Sequence, residues 1–246
     1  TISGIPANGL IGYWPFNGNA NDESGNGNNG TVNGASLTDD RYGDSNSAYY
    51  FDGINDYIDC GDSLLGATTT QSITVNSWVK MQDSLSGMVI SKYQNLDASK
   101  SNYFMSFDRL NSRLRLTGRG TNVVDGSFVS TGDWVMLTAI YQNGTNSSKI
   151  YVNGSYINQG SLNFNSYQAV AKTLIGRNAG SPPNYFKGKI DDIGIWNRAL
   201  NATEIAGLYS AGTITYSTDT ITSCGPYTWT DGITYTSSNN TAMDTF

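Results

Sequence analysis

Histidine is absent from the 246 residues of the chain. Acid–base chemistry on imidazole, Ser-His-Asp nucleophiles and histidine-ligated zinc are therefore excluded. Cysteine is nearly absent too. Cys60 and Cys224 are too few and too far apart to form a metal cluster, and pairing with each other, free thiols and bridges to other partners all stay open. Glutamate occurs only at Glu23 and Glu204, so no strand offers the pair of glutamates a retaining glycosidase uses. Basic residues number 14 against 20 acidic ones, a formal charge of −6 that argues against nucleic acid and anionic membrane surfaces as partners. No apolar run approaches the ~20 residues of a membrane-spanning helix. The opening TISGIPANGL lacks the basic and apolar regions of a signal peptide, as expected of a mature segment taken from a longer protein.

What is present is Gly, Asn, Ser, Thr and Tyr, the composition of strands joined by turns. The densest polar stretch, NGNANDESGNGNNGTVNG at Asn17 to Gly34, has almost nothing to bury and holds its shape by other means. Crowded side-chain and carbonyl oxygens on a Gly-rich turn suit a hard cation, with calcium the natural candidate. One Asp binds calcium poorly, and Asp191-Asp192, in the downstream stretch IDDIGIW, offers the second carboxylate. The expected ligands are Asp22, Asn26, Asn28 and Asp191 around a structural calcium ion.

Along the chain, GLIGYWPF reads as a first strand and AYYFDGINDYID as a hairpin about the turn Asp52 to Asn55. In SITVNSWVKM, Ile73, Val75, Val79 and Met81 alternate with Thr74, Asn76, Trp78 and Lys80, so Trp78 marks a second face that is not wholly solvated. Further strands are expected at 87–93, 103–108, 113–118, 134–142, 149–152, 173–176 and 186–196, with Asn143-Gly144 and Asn153-Gly154 as turns. About a dozen short strands without βαβ alternation imply an all-β sandwich of two antiparallel sheets. One short C-terminal helix starts at Asn201, with Glu204 completing a capping box and Ile205 and Leu208 on one side. Trp14, Trp78, Trp134 and Trp196 lie in strand patterns and read as core. The expected division is a sandwich over 1–212 and the truncated start of a following repeat or linker over 213–246, which is too short to fold alone.

In order across residues 8 to 212, GLIGYWPFNGNANDESGNGNNGTVNGA, YYFDGINDYID, SITVNSWVK, WVMLTAIYQNGTNSSKIYVNG, LIGR and FKGKIDDIGIWNRALNATEIAGLYSAG resemble the laminin-G-like, concanavalin A-like jelly-roll modules of secreted bacterial proteins. The tail SCGPYTWTDGITYTSSNNTA resembles the opening of a repeat in surface proteins of the Bacteroidetes type, which implies that the mate of Cys224 lies beyond this chain. The resemblance also implies a structural calcium between an N-terminal loop and the last long strand, with a carboxylate from Asp191. By strict alternation Asp191 shares a face with Ile193 and Ile195 while Asp192 shares one with Trp196, so the two carboxylates are expected to diverge.

With no paired acids, binding without turnover is the expected activity. Sugars need flat aromatic faces and planar polar groups. Tyr93, Tyr103 and Tyr185 stand beside turns, Asn184 sits next to Tyr185, and Arg119 and Arg177 are placed to address an acidic or sulfated glycan. The chain thus reads as a non-catalytic, calcium-stabilised carbohydrate-binding module, monomeric, secreted or at the cell surface, holding polysaccharide for other domains of its parent protein. An adhesin or spacer module is the alternative, and a glycoside hydrolase the more distant one.

Overall fold

Alternation of apolar and polar residues is met by strand in nearly every stretch where the sequence shows it. The computed structural model describes residues 4–64, 72–82, 87–92, 103–108, 113–117, 123–127, 132–142, 147–162, 171–179, 183–211, 227–228 and 234–235. The strands in chain order are β1 (Leu10–Trp14), β2 (Thr31–Asn33), β3 (Ser36–Thr38), β4 (Ala48–Asp52), β5 (Tyr57–Asp59), β6 (Ser72–Met81), β7 (Gly87–Lys92) and β8 (Tyr103–Asp108). They continue with β9 (Arg113–Thr117), β10 (Val123–Ser127), β11 (Val135–Gln142), β12 (Ser148–Val152), β13 (Ser155–Gly160), β14 (Thr173–Ile175) and β15 (Lys187–Trp196). One eight-stranded sheet runs β13-β12-β11-β6-β15-β4-β3, with β1 also paired to β15. The other, seven-stranded, runs β10-β9-β8-β7-β14-β5-β2. Every pairing is antiparallel, which makes the molecule a jelly-roll sandwich. In the tail, Tyr227–Thr228 pairs with Thr234–Tyr235; Cys224 lies outside the described residues.

The main core lies between the sheets and takes Ile73, Val75, Val79 and Met81 from β6, with Ile190, Ile193 and Ile195 from β15 and Trp14 from β1. As the alternation in β6 predicts, Trp78 leaves by the other side, where it joins Met136, Ile140, Tyr151, Trp196, Leu200, Ile205 and Leu208. A helix, α1 (Ala202–Ala211), covers this second cluster and stacks its Tyr209 on Trp78 with ring centroids 5.8 Å apart. The outer face of the eight-stranded sheet is therefore half core. Trp134, just ahead of β11, is only partly buried against the same cluster. Cys60 is a free, buried thiol.

One expectation needs correction, and one strand was not expected. The stretch from Ala48 to Asp59 turns where expected, with Asp52 Oδ1 accepting from the Ile54 amide at 2.7 Å and Asp56 Oδ2 from the Asp52 amide at 2.9 Å. Yet β4 and β5 do not pair; they belong to different sheets, because Phe51 and Ile58 both bury in the space between the layers. The turn is an arch, not a hairpin. Strand β13 also carries no alternation to detect, since all but its last residue are exposed; it is placed by the Asn153-Gly154 turn, whose residues both take positive φ, 49° and 75°.

The capping box forms as the sequence predicts. Asn201 Oδ1 accepts from the Glu204 amide at 2.9 Å, and Glu204 Oε2 accepts from the Asn201 amide at 2.9 Å. Arg198 grips the same carboxylate through Nη2 at 2.6 Å. Replacing Asn201 by Ala is expected to lower unfolding free energy by about 1 kcal/mol in a denaturant titration, with little change in slope, because α1 caps the outer cluster rather than the main core.

Candidate functional site

Among the described residues strand β1 pairs only with β15, so its other edge needs cover against wrong pairing. The Asn- and Gly-rich loop lies along that edge. The Glu23 amide donates to the Tyr13 carbonyl at 2.8 Å, and Asn28 Nδ2 donates to the Ile11 carbonyl at 3.0 Å. Asp22 accepts four hydrogen bonds of 2.9 Å: its Oδ1 takes the amides of Tyr13 and Ser24, and its Oδ2 takes the amide and side-chain Nδ2 of Asn28. Trp14 Nε1 donates to the Asn28 carbonyl at 3.0 Å, and Ser63 Oγ to Asn28 Oδ1 at 2.9 Å. Asn26 uses Nδ2 on Ser24 Oγ at 3.0 Å. Burial raises the Asp22 pKa, but the hydrogen bonds from Ser24, Tyr13 and Asn28 together outweigh it and hold the carboxyl below its usual value.

These donors do not fit calcium. A carboxylate has about four lone-pair directions. All four on Asp22 are aimed at N–H groups, and the amide oxygens and nitrogens of Asn28 are likewise engaged. The residues expected to hold an ion instead hold each other and the edge of β1. Among the described residues no group of three or more Asp, Glu or Cys side chains could hold a metal.

Asp191 also departs from expectation. Its strand does not alternate strictly: pairing with β6 shifts register between Asp191 and Gly194, and Asp192 takes φ 45°. A left-handed residue in the middle of a strand is a bulge, and it turns both carboxylates to one side. They meet Arg41, whose Nη1 donates to Asp191 Oδ2 at 2.7 Å and whose Nη2 donates to Asp192 Oδ2 at 2.6 Å. Tyr13 donates its hydroxyl to Asp192 Oδ1 at 2.8 Å, and the Asp192 amide donates to Asp191 Oδ1 at 2.8 Å. Side-chain exposure is 9% for Arg41 and 3% for Asp191, so solvent screens this pair little. Burial alone would lower the Arg41 pKa, but the charges of Asp192 and Asp191 outweigh it. Burial and the Asp192 charge raise the Asp191 pKa, and Arg41 pulls against them. The sequence signal for Arg41 was available: it is the only Lys or Arg before Lys80.

On the opposite layer, the sugar candidates are partly assembled. Ile58 and Ile175 face the core, so Tyr57 points away from it on β5. Gly176 takes φ 82°, and a Cβ there would lie 2.5 Å from the Phe51 ring, so only glycine lets the chain turn outward at this point. Arg177 follows, with its guanidinium carbon 4.5 Å from the Tyr57 ring centroid and 5.6 Å from that of Tyr185. An isolated bridge joins Arg177 to Tyr185, and the Asn184 amide donates to Asn178 Oδ1 at 2.8 Å. Arg177 and Tyr185 come together, with Asn184 next to Tyr185 in the chain, and Tyr57 joins them although the sequence reading passed over it. Tyr103 begins β8 with its side chain outside the described residues, as are Tyr93 and Arg119 entirely.

The loop generates two expectations. Asp22→Ala should destabilise the protein by about 3 kcal/mol in denaturant, since it strips acceptors from several buried amides at once. Because the folded pKa of Asp22 is depressed, its contribution is complete above the unfolded value near ~4 and is lost as pH falls through the folded value.

Comparison with known proteins agrees with this architecture. A laminin-G-type family model described as "Concanavalin A-like lectin/glucanases superfamily" matches residues 51–206. No curated protein matches the chain. Among solved structures, Domain 4 of AbnA, a GH43 extracellular arabinanase from Geobacillus stearothermophilus seen in complex with arabinotriose, superposes with a TM-score of 0.64 at 23% identity, over 81% of this chain and 98% of that one. The binding domain of botulinum neurotoxin serotype D/C superposes with a TM-score of 0.62 at 14% identity, over 82% of this chain and 52% of that one. A botulinum neurotoxin type C structure, whose cell entry depends on two ganglioside molecules, gives 0.61 at 13% identity, over 82% and 51%. At these identities the superpositions establish a shared fold. Since the family match spans more than half of the chain and the two-sheet jelly roll agrees with it, the chain belongs to the concanavalin A-like lectin/glucanases superfamily.

Proposed function

We propose that this chain is a non-catalytic glycan-binding module of a secreted or surface-attached protein. Its saccharide carries carboxylate or sulfate groups and is held at the rim made by Tyr57, Arg177, Asn184 and Tyr185. The observation that carries this reading is the Arg177 guanidinium, lodged between two tyrosine rings and without a carboxylate partner among the described residues. Its Nε donates to the Asn178 carbonyl at 3.0 Å, which leaves the two terminal nitrogens for an anion, while the ring faces suit the apolar side of a sugar. The arabinotriose complex of the arabinanase domain and the ganglioside dependence of the type C toxin support the class of ligand. Retaining hydrolysis calls for two carboxyl groups about 5 Å apart on an open groove. The adjacent carboxylates Asp191 and Asp192 are instead turned onto Arg41, which supports binding without turnover.

Affinity electrophoresis of the full chain on uronate-bearing, sulfated and neutral polysaccharides tests this. Retention is expected on the acidic ones and should weaken with salt. Arg177→Ala and Tyr185→Ala should each reduce retention about tenfold, or ~1.4 kcal/mol, with thermal midpoints close to the parent value. Equal retention by both variants would move the site elsewhere. No retention on any polysaccharide would favour an adhesin or spacer role, and release of reducing ends would make the chain a hydrolase.

A further inference from the structure

Asp191 and Asp192 stand side by side on β15 with a tyrosine hydroxyl beside them, a cluster of oxygens of the kind that gathers a hard cation. Here a cation from the same chain fills it. Arg41 reaches one oxygen of each carboxylate, at 2.7 Å and 2.6 Å, and its guanidinium carbon lies 4.4 Å from the Tyr42 ring centroid and 4.7 Å from that of Trp78. The remaining oxygens accept from the Asp192 amide and the Tyr13 hydroxyl, so each of the four meets a proton donor.

The segment that delivers Arg41 is itself fastened. Asp40 Oδ1 accepts from the amides of Tyr42 at 2.8 Å and Asp44 at 2.9 Å, Lys189 Nζ donates to the Asp39 carbonyl at 3.1 Å, and the Tyr42 hydroxyl donates to the Ala211 carbonyl at the end of α1 at 3.3 Å. A planar fork can span two carboxylates; the point charge of lysine serves one.

We infer that Arg41 takes the place of the divalent cation that the family resemblance leads one to expect at Asp191, so that the chain carries its own counter-ion and closes its last long strand onto its first without metal. The guanidinium joins three remote parts of the sequence, the 39–44 segment, β15 and, through Tyr13, β1. An additional calcium ion at these oxygens would meet N–H and O–H protons and the positive charge of Arg41.

The test uses the full chain. Thermal midpoints of the parent protein should be the same in a chelator and in millimolar calcium. Arg41→Met removes the charge while keeping apolar length, and should lower the midpoint by about 10 °C. In that variant the vacated position should accept a cation: calcium should restore part of the loss, and terbium should luminesce on tryptophan excitation because Trp78 lines the position, with calcium competing the signal away. A purely structural packing role for Arg41 would give the loss without the terbium signal or the calcium response, and that result overturns the inference. It is overturned equally if a chelator lowers the midpoint of the parent protein and Asp191→Asn abolishes that response, or if Arg41→Met is as stable as the parent. Should Arg41→Met fail to fold, Arg41→Gln replaces it with the same readouts; a drop that calcium partly restores sustains the inference, and an unchanged midpoint or a drop without calcium response overturns it.

Discussion

One guanidinium shared by two carboxylates sits at the bulge of β15, the strand to which β6, β4 and β1 of the eight-stranded sheet all pair. Strand β15 pairs with β6 along one side, while its other side is divided between β4 before the bulge and β1 after it. The division requires a break in register, and the break puts Asp192 at φ 45°, a conformation that costs a non-glycine residue roughly 1 kcal/mol or more. The hydrogen bonds from Arg41 and Tyr13 offset that strain. They also compensate carboxylates that would otherwise be buried beside each other as like charges, an arrangement that loses several kcal/mol when a partner is removed.

The Asn- and Gly-rich loop solves a second problem created by the same topology. Having β1 on only half of β15 leaves the outer edge of β1 unpaired. Another strand there would extend the sheet indefinitely, whereas a loop whose side-chain amides and one carboxylate mimic a strand partner ends it. This explains why so polar a stretch contains a carboxylate that is nearly buried. Asp22 is the hub through which the Tyr13, Ser24 and Asn28 amides are satisfied together, and its oxygens do the organising that the composition alone suggested for a metal.

Much of this was legible in the residues. The alternation of β6 identified both cores, because Trp78 stood among polar neighbours on the face that α1 covers. The Asn201-Glu204 spacing identified the helix start, and Asn153-Gly154 a two-residue turn. What could not be read is what depends on broken periodicity or remote pairing. Strict alternation sent Asp191 and Asp192 to opposite faces, and only the bulge brings them together. The turn at Asp52 to Asn55 has the local chemistry of a hairpin, but sheet membership is decided by where Phe51 and Ile58 bury, which is a tertiary matter. At the candidate sugar site Arg177, Asn184 and Tyr185 were picked out one by one from turn-flanking positions, whereas Tyr57 comes from the neighbouring strand β5, a pairing that local sequence does not announce.

The placement of these features separates stability from recognition. The ion cluster and its aromatic walls belong to the outer face of the eight-stranded sheet, beneath α1, and the loop seals β1 on that same sheet. The Tyr57, Arg177 and Tyr185 group belongs to the outer face of the seven-stranded sheet, and its arginine serves no carboxylate of the scaffold among the described residues. Substitutions at sites that share no partner act nearly independently. A chain built this way can change the residues of the rim without disturbing the charges that fix β15, and it keeps one arginine buried between carboxylates while leaving another beside its tyrosines, where we propose an outside anion is held. On the proposed reading two arginines of the same chemistry take opposite roles, and what distinguishes them is whether the fold has supplied the carboxylates in advance.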